Sequence, residues 1–203
     1  MMFLWQAHLS FVLLGFVLLS AFHFTRPWRP WLLPLLALAG FIPVNDLPLA
    51  AYVRSFTDDL AITTLVLLGW VCLLRLGVVQ PLPTVRRAQV LVLFTVLALI
   101  LYPATMGLTY VDPYRWGFNP RPMIVLIGLS TMALLWLRNG LGVAMLALGT
   151  LAFALRLKAS ENYWDYLIDP LLVGYCLAAG AALCVREVWR LLRPVPVVPT
   201  SSI

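Results

Sequence analysis

The residues of this chain whose types and spacing allow chemistry are carboxylates with arginines nearby. Glu161, Asp165 and Asp169 recur every four residues in "SENYWDYLIDP", so on a helix they would share one face. Asp58 and Asp59 are adjacent, and Asp112 stands three residues before Arg115, with Trp116 and Arg121 just beyond. If the loops fold together, these carboxylates and Asp46, seven in all, would line one cup with Arg54, Arg115 and Arg121. Such a cup could hold a hard cation through its carboxylates or an anionic headgroup through its arginines. It would equally serve as a docking face for a partner's extracytoplasmic domain. The expected binding or partner site is Asp58, Asp59, Asp112, Arg115, Trp116, Arg121, Glu161, Trp164 and Asp165.

A simpler reading assigns the same residues to helix starts. Thr57 with Asp58 and Asp59, Asp112 before Pro113, Asn119 before Pro120 and Asp169 before Pro170 all match an acceptor side chain ahead of a first helical turn. Proline at 170 also disfavours helical geometry at Asp169, which weakens the third member of the spaced trio. Tyr110, Tyr114, Trp116, Tyr163, Trp164 and Tyr166 match an interfacial aromatic belt.

Other chemistries find little support. His8 and His23 are the only histidines, and fifteen residues apart on one helix they stand about 22 Å from each other, too far to share a metal or a haem. No further histidine exists for a Ser-His triad, and no Gly-rich phosphate loop occurs. Cys72, Cys176 and Cys184 lie inside apolar runs without metal-ligand spacing. No cofactor, metal or catalytic residue is assigned. Asp and Glu are absent from the middles of the apolar runs, which argues against a pump.

The elements that must position these residues are set by composition. The chain is 63% hydrophobic and 11% charged, against about 45–50% and about 25% for a soluble domain. Lipid is therefore the natural solvent. The net charge of +6 does not signal nucleic acid, because the basic residues stand singly or in pairs at the ends of apolar runs. Seven such runs are readable, at approximately 3–24, 31–44, 60–76, 88–104, 122–137, 141–156 and 167–185. Several have about fifteen residues, roughly 23 Å of helix against a hydrocarbon core of about 30 Å, so snorkelling arginines and interfacial aromatics must supply the rest. The first run lacks a basic start and a small-x-small cleavage site and is kept as a helix.

The expected fold is an all-α, polytopic membrane bundle of about seven transmembrane helices, or six if residues 31–44, with Pro34 and Pro43, are re-entrant. Residues 1–193 form one transmembrane domain and 194–203 a short Pro-rich cytoplasmic tail. Alternating links place nine basic residues and one acid on one side, five basic and seven acidic on the other. The positive-inside rule then puts the N-terminus outside, the C-terminus in the cytoplasm and the acidic loops outside, and the expected location is a bacterial cytoplasmic (inner) membrane. Gly174, Ala178 and Ala182 recur every four residues, which predicts close helix packing by the seventh helix within the bundle or in an oligomer. The sequence leans away from an enzyme. It predicts a component that works in the bilayer with another membrane or extracytoplasmic protein, in cell-envelope biogenesis or transport. The alternatives are a small-solute or lipid carrier, and an enzyme acting on a lipid-linked phosphate at the outer leaflet.

Overall fold

A computed structural model describes residues 4–192, except for the side chain of Phe24. The Pro-rich tail lies outside the described residues. The chain is all-helical apart from a small antiparallel hairpin, Pro43–Val44 with Leu47–Pro48. The α-helices are α1 (Leu4–Leu19), α2 (Arg29–Ala39), α3 (Leu49–Thr57), α4 (Ile62–Arg75), α5 (Thr84–Thr105), α6 (Arg121–Trp136), α7 (Gly140–Ala154), α8 (Trp164–Leu167) and α9 (Pro170–Leu192). Short 3-10 helices occupy His23–Trp28 and Pro113–Gly117. Each of the seven apolar runs contains a helix. Two of them, α5 with 22 residues and α9 with 23, are long and apolar enough to cross a membrane.

The bundle has an arginine-rich end and a carboxylate-rich end. At the first, Arg29 donates to the carbonyls of Ser20 (2.9 Å) and Arg75 (3.3 Å). Arg75 donates through Nη1 to the Val17 carbonyl and to Ser20 Oγ. The last carbonyls of a helix have no partner within it, and a guanidinium both satisfies them and complements the helix dipole. Asn139 is fully buried here and ties the α6–α7 turn to α5, donating to Arg86 O (2.8 Å) and Gln89 Oε1 (3.0 Å) while it caps α7 through Gly142 N.

α2 starts at this end and finishes at the other. Its last turn abuts α1 so closely that a Cβ on Gly40 would lie 2.6 Å from the His8 ring. α2 has 11 residues, about 16 Å of helix, and is followed by the hairpin and α3. α3 then lies across the carboxylate-rich end with Ala50 buried and Phe56 exposed. The core forms where α4 packs between α1 and α7, with Leu65, Leu68, Phe94, Met123, Ile127, Met145 and Leu146 buried.

α9 bears on one half of an expectation, that its small residues pack within the bundle. It packs on α5 through buried Leu172 and Cys176, and Gly174, Ala178 and Ala182 are exposed. Two residues correspond to about 200° around a helix, so a stripe at 174 points away from a contact made at 172. The small residues therefore meet no helix of this chain among the described residues.

Candidate functional site

Residues 158–170 are the part of the carboxylate-rich end that folds inward. Tyr163, Trp164, Tyr166 and Leu167 expose no surface at all. These aromatics are therefore not an interfacial belt, as their type suggested, but part of the core. α8 packs against α4 and α7, and Gly149 leaves the space for Leu167 to approach α7. Each buried polar tip has a partner, as burial of Tyr and Trp demands. Trp164 Nε1 donates to Pro113 O (2.8 Å), the Tyr163 hydroxyl meets Thr150 Oγ1 (2.6 Å), and Tyr166 OH accepts from Lys158 N (3.1 Å). Asn162 donates to Tyr114 O (3.0 Å) and accepts from Trp164 N (2.9 Å). A Cβ on Gly117 would collide with Asn162, so glycine is required where the 113–117 turn meets this segment.

Between this segment, the α3–α4 link and the end of α5 lies a cavity of about 530 Å³. Its charged lining residues are Arg54, Asp58, Asp59, Lys158, Asp165 and Asp169, joined by the hydroxyls of Tyr102, Tyr114 and Ser160. Four carboxylates face two cations, so the lining carries a formal charge of −2.

The carboxylates are not equivalent. Asp169 is buried and accepts from two helix starts: Oδ1 from Leu172 N (2.7 Å) of α9 and Oδ2 from Ala61 N (2.8 Å), the residue just before α4. The cap on α9 is the one its place before Pro170 implies. The cap on α4 comes from 108 residues away, and not from Thr57, Asp58 or Asp59, because Thr57 still belongs to α3 and α4 begins only at Ile62. Asp59 pairs with Arg54, whose Nη2 donates to Oδ2 at 2.9 Å and whose Nε lies 2.9 Å from Oδ1.

Lys158 is the only lysine in the chain. It is 7% exposed, and its ammonium donates to the carbonyls of Asp59 (2.7 Å), Leu60 (3.2 Å) and Asp165 (2.7 Å). An ammonium carries three donors, so three carbonyls saturate it. Burial pulls its pKa below the ordinary 10.5, and the charges of Asp165 and Asp59 oppose that shift.

Asp165 differs from both acids. Its carboxylate accepts from Ser160 Oγ and, at 3.4 Å, from the Tyr114 hydroxyl, and no cationic side chain pairs with it among the described residues. Burial and the Asp165 charge together push the Tyr114 pKa up. The Asp58 carboxylate is exposed at the mouth and has no hydrogen bond or ion pair among the described residues.

Of the expected site, Asp58, Asp59 and Asp165 converge. Trp164 stands behind them as the anchor of the 113–117 turn. Asp112 caps that turn by accepting from Tyr114 N at 3.0 Å. Arg115, Trp116, Arg121 and Glu161 are exposed and do not line the cavity. Residues 161, 165 and 169 do not share a helix face, since α8 covers only Trp164–Leu167. α6 starts at Arg121 without a side-chain cap, so Asn119 does not play that part. Of the three arginines expected at the cup only Arg54 lines the cavity, and Lys158 is there in place of Arg115 and Arg121. A lone lysine in a chain whose other basic residues are all arginine was the signal available for Lys158. No group of three or more His, Cys, Asp or Glu among the described residues is arranged to hold a metal ion. No family model, no curated protein and no solved structure matches this chain.

Proposed function

We propose that this is a multi-pass membrane protein that receives a cationic group, an ammonium or guanidinium of a solute or a partner protein, in the cavity at its carboxylate-rich end. The observation that carries the reading is the state of Asp165. It faces a cavity with a charge of −2 whose two cations are already committed, Arg54 to Asp59 and Lys158 to carbonyls. A volume near 530 Å³ lies within the range of about 300–1,000 Å³ usual for small-ligand sites. The same net charge works against an enzyme acting on a lipid-linked phosphate, and Arg115 and Arg121, which would have held the phosphate, lie outside. The fully buried Tyr163, Trp164 and Tyr166 fill the bundle beside the cavity, which favours a receiving face over a through-path for a carrier.

The membrane part of the proposal rests on surface. α9 carries no charged residue from Pro170 to Val185, yet only Leu172 and Cys176 are buried. Leu129, Met132 and Trp136 of α6 are likewise more than half exposed. In water such faces would form an apolar surface far larger than a monomer tolerates. The charge asymmetry then puts the arginine-rich end in the cytoplasm and the cavity outside.

Two experiments test this. A Glu161→Cys variant in a background lacking the native cysteines should react with a membrane-impermeant maleimide in intact cells; protection until the cells are opened contradicts the orientation. Spermidine should raise the thermal unfolding midpoint of the detergent-purified chain more than an uncharged polyol does at equal concentration and ionic strength. Equal shifts contradict the cation site.

A further inference from the structure

A second cavity, of about 490 Å³, runs along α4 on the side of α5 and α9. Its lining extends on α4 from Thr64 to Arg75, a rise of about 16 Å of helix. Leu68, Val71, Leu91 and Leu172 make its walls apolar. Among the described residues its only charged lining residues are Arg75 and Arg87, and Tyr175 adds a hydroxyl. Both arginines belong to the arginine-rich end. Arg87 is exposed and makes a 3.4 Å contact to Tyr175 OH. Arg75 makes both of its bonds through Nη1. Beside it, Arg29 donates to the Arg75 carbonyl, and its own Nε is buried without a partner.

We propose that this groove seats an anionic glycerophospholipid, one acyl chain lying along α4 and the phosphate bound by Arg87 and Arg75. The groove follows nearly the whole of α4 and is long enough to take an extended acyl chain. Its charge matches the headgroup, since two guanidiniums and no carboxylate line it. A choline headgroup would bring its own fixed cation towards those arginines. The groove is independent of the cavity around Asp165, and the inference rests only on the membrane part of the reading above.

The test uses the full chain, purified in detergent, with phosphatidylglycerol and phosphatidylcholine of identical acyl chains as probes, followed by native mass spectrometry. Wild type should prefer phosphatidylglycerol by about five-fold or more, the factor expected of roughly one arginine contact. Glycerol 3-phosphate alone should not bind, because it lacks the chain that fills the groove. Arg87→Gln should abolish the preference between headgroups, and Val71→Trp, which fills the groove, should weaken both lipids. Equal binding of the two lipids by wild type, or an undiminished preference in Arg87→Gln, overturns the proposal. Extraction of the chain from membranes by alkaline carbonate would overturn the membrane reading instead. A chain that resists carbonate and shows no headgroup preference sinks the groove alone.

Discussion

At the arginine-rich end, Arg29 and Arg75 hold the terminal carbonyls of α1 and α4, and Asn139 holds a turn against α5. At the carboxylate-rich end, Asp169 holds two terminal N–H groups, Arg54 holds Asp59, and Lys158 holds three carbonyls. Arg29 and Arg75 at one end and Asp169 at the other do the same work with opposite charges, completing backbone groups that a helix end leaves unpaired. The difference is what is left over. At the carboxylate-rich end Asp165 and Asp58 remain without a cation and face a cavity, whereas at the other end the charge left facing a cavity is the cation of Arg87. Most charge at the ends of such helices is structural, and a binding site shows as the charge that remains when the structural partners have been assigned.

The contrast breaks most visibly at Asp169. A cap on α9 alone would tolerate asparagine, which caps as well as aspartate. A carboxylate that serves two helix starts would not, because an amide offers one acceptor oxygen and turns a donor towards the second N–H. Asp169→Asn should therefore lower stability in detergent by about 2 kcal/mol, the cost of one unsatisfied buried donor, and Asp169→Ala by more. An unchanged unfolding midpoint in Asp169→Asn would show that α4 does not depend on this contact.

Lys158→Arg sharpens the same point with a smaller expected effect. A planar guanidinium cannot aim three donors at three carbonyls that converge on one ammonium, so the charge is kept while the geometry fails. A loss of about 1–2 kcal/mol is expected from the carbonyls left unpaired, read as the thermal midpoint. A silent Lys158→Arg would mean that only the charge matters there.

The pH response should be smaller still. The folded chain holds the Lys158 proton less tightly than the unfolded chain does, since burial lowers its pKa from 10.5. The unfolded state then binds more protons in the window just below 10.5, and linkage makes stability rise with pH there. Urea unfolding at pH 8 and pH 9.5 should show this rise in wild type and not in Lys158→Met. The smallest effects belong to Arg115→Gln and Arg121→Gln, exposed and away from the cavity. Each should change stability by less than about 0.5 kcal/mol and leave spermidine binding intact, and a loss of binding in either would redraw the site.

The apolar runs were legible because burial of backbone in helices leaves a strong local signal, and all seven runs contain a helix. The short cap at Asp112 and the cap on α9 were legible for the same reason, as both depend on neighbours in sequence. What was not legible is long-range. Asp165 and Asp169 look alike four residues apart, yet one spans to Ala61 and the other ends in a cavity, and only the path of residues 158–170 separates them. Tyr163, Trp164 and Tyr166 read as interfacial aromatics because their composition does not reveal that the segment folds back onto α7. The Gly174 stripe shows the converse limit, since spacing identifies a face but not what it meets.

The central claim is that Asp165 is free for a ligand and is not a structural carboxylate. Titration of wild type and Asp165→Asn with spermidine, followed by calorimetry in detergent, separates the two. Loss of a charge-assisted contact predicts at least about a ten-fold weaker affinity in Asp165→Asn, or about 1.4 kcal/mol. Its unfolding midpoint without ligand should stay near that of wild type, because Ser160 and Tyr114 can still donate to the amide oxygen. Equal affinity in the two proteins, or a midpoint that falls as far as in Asp169→Asn, would contradict the account.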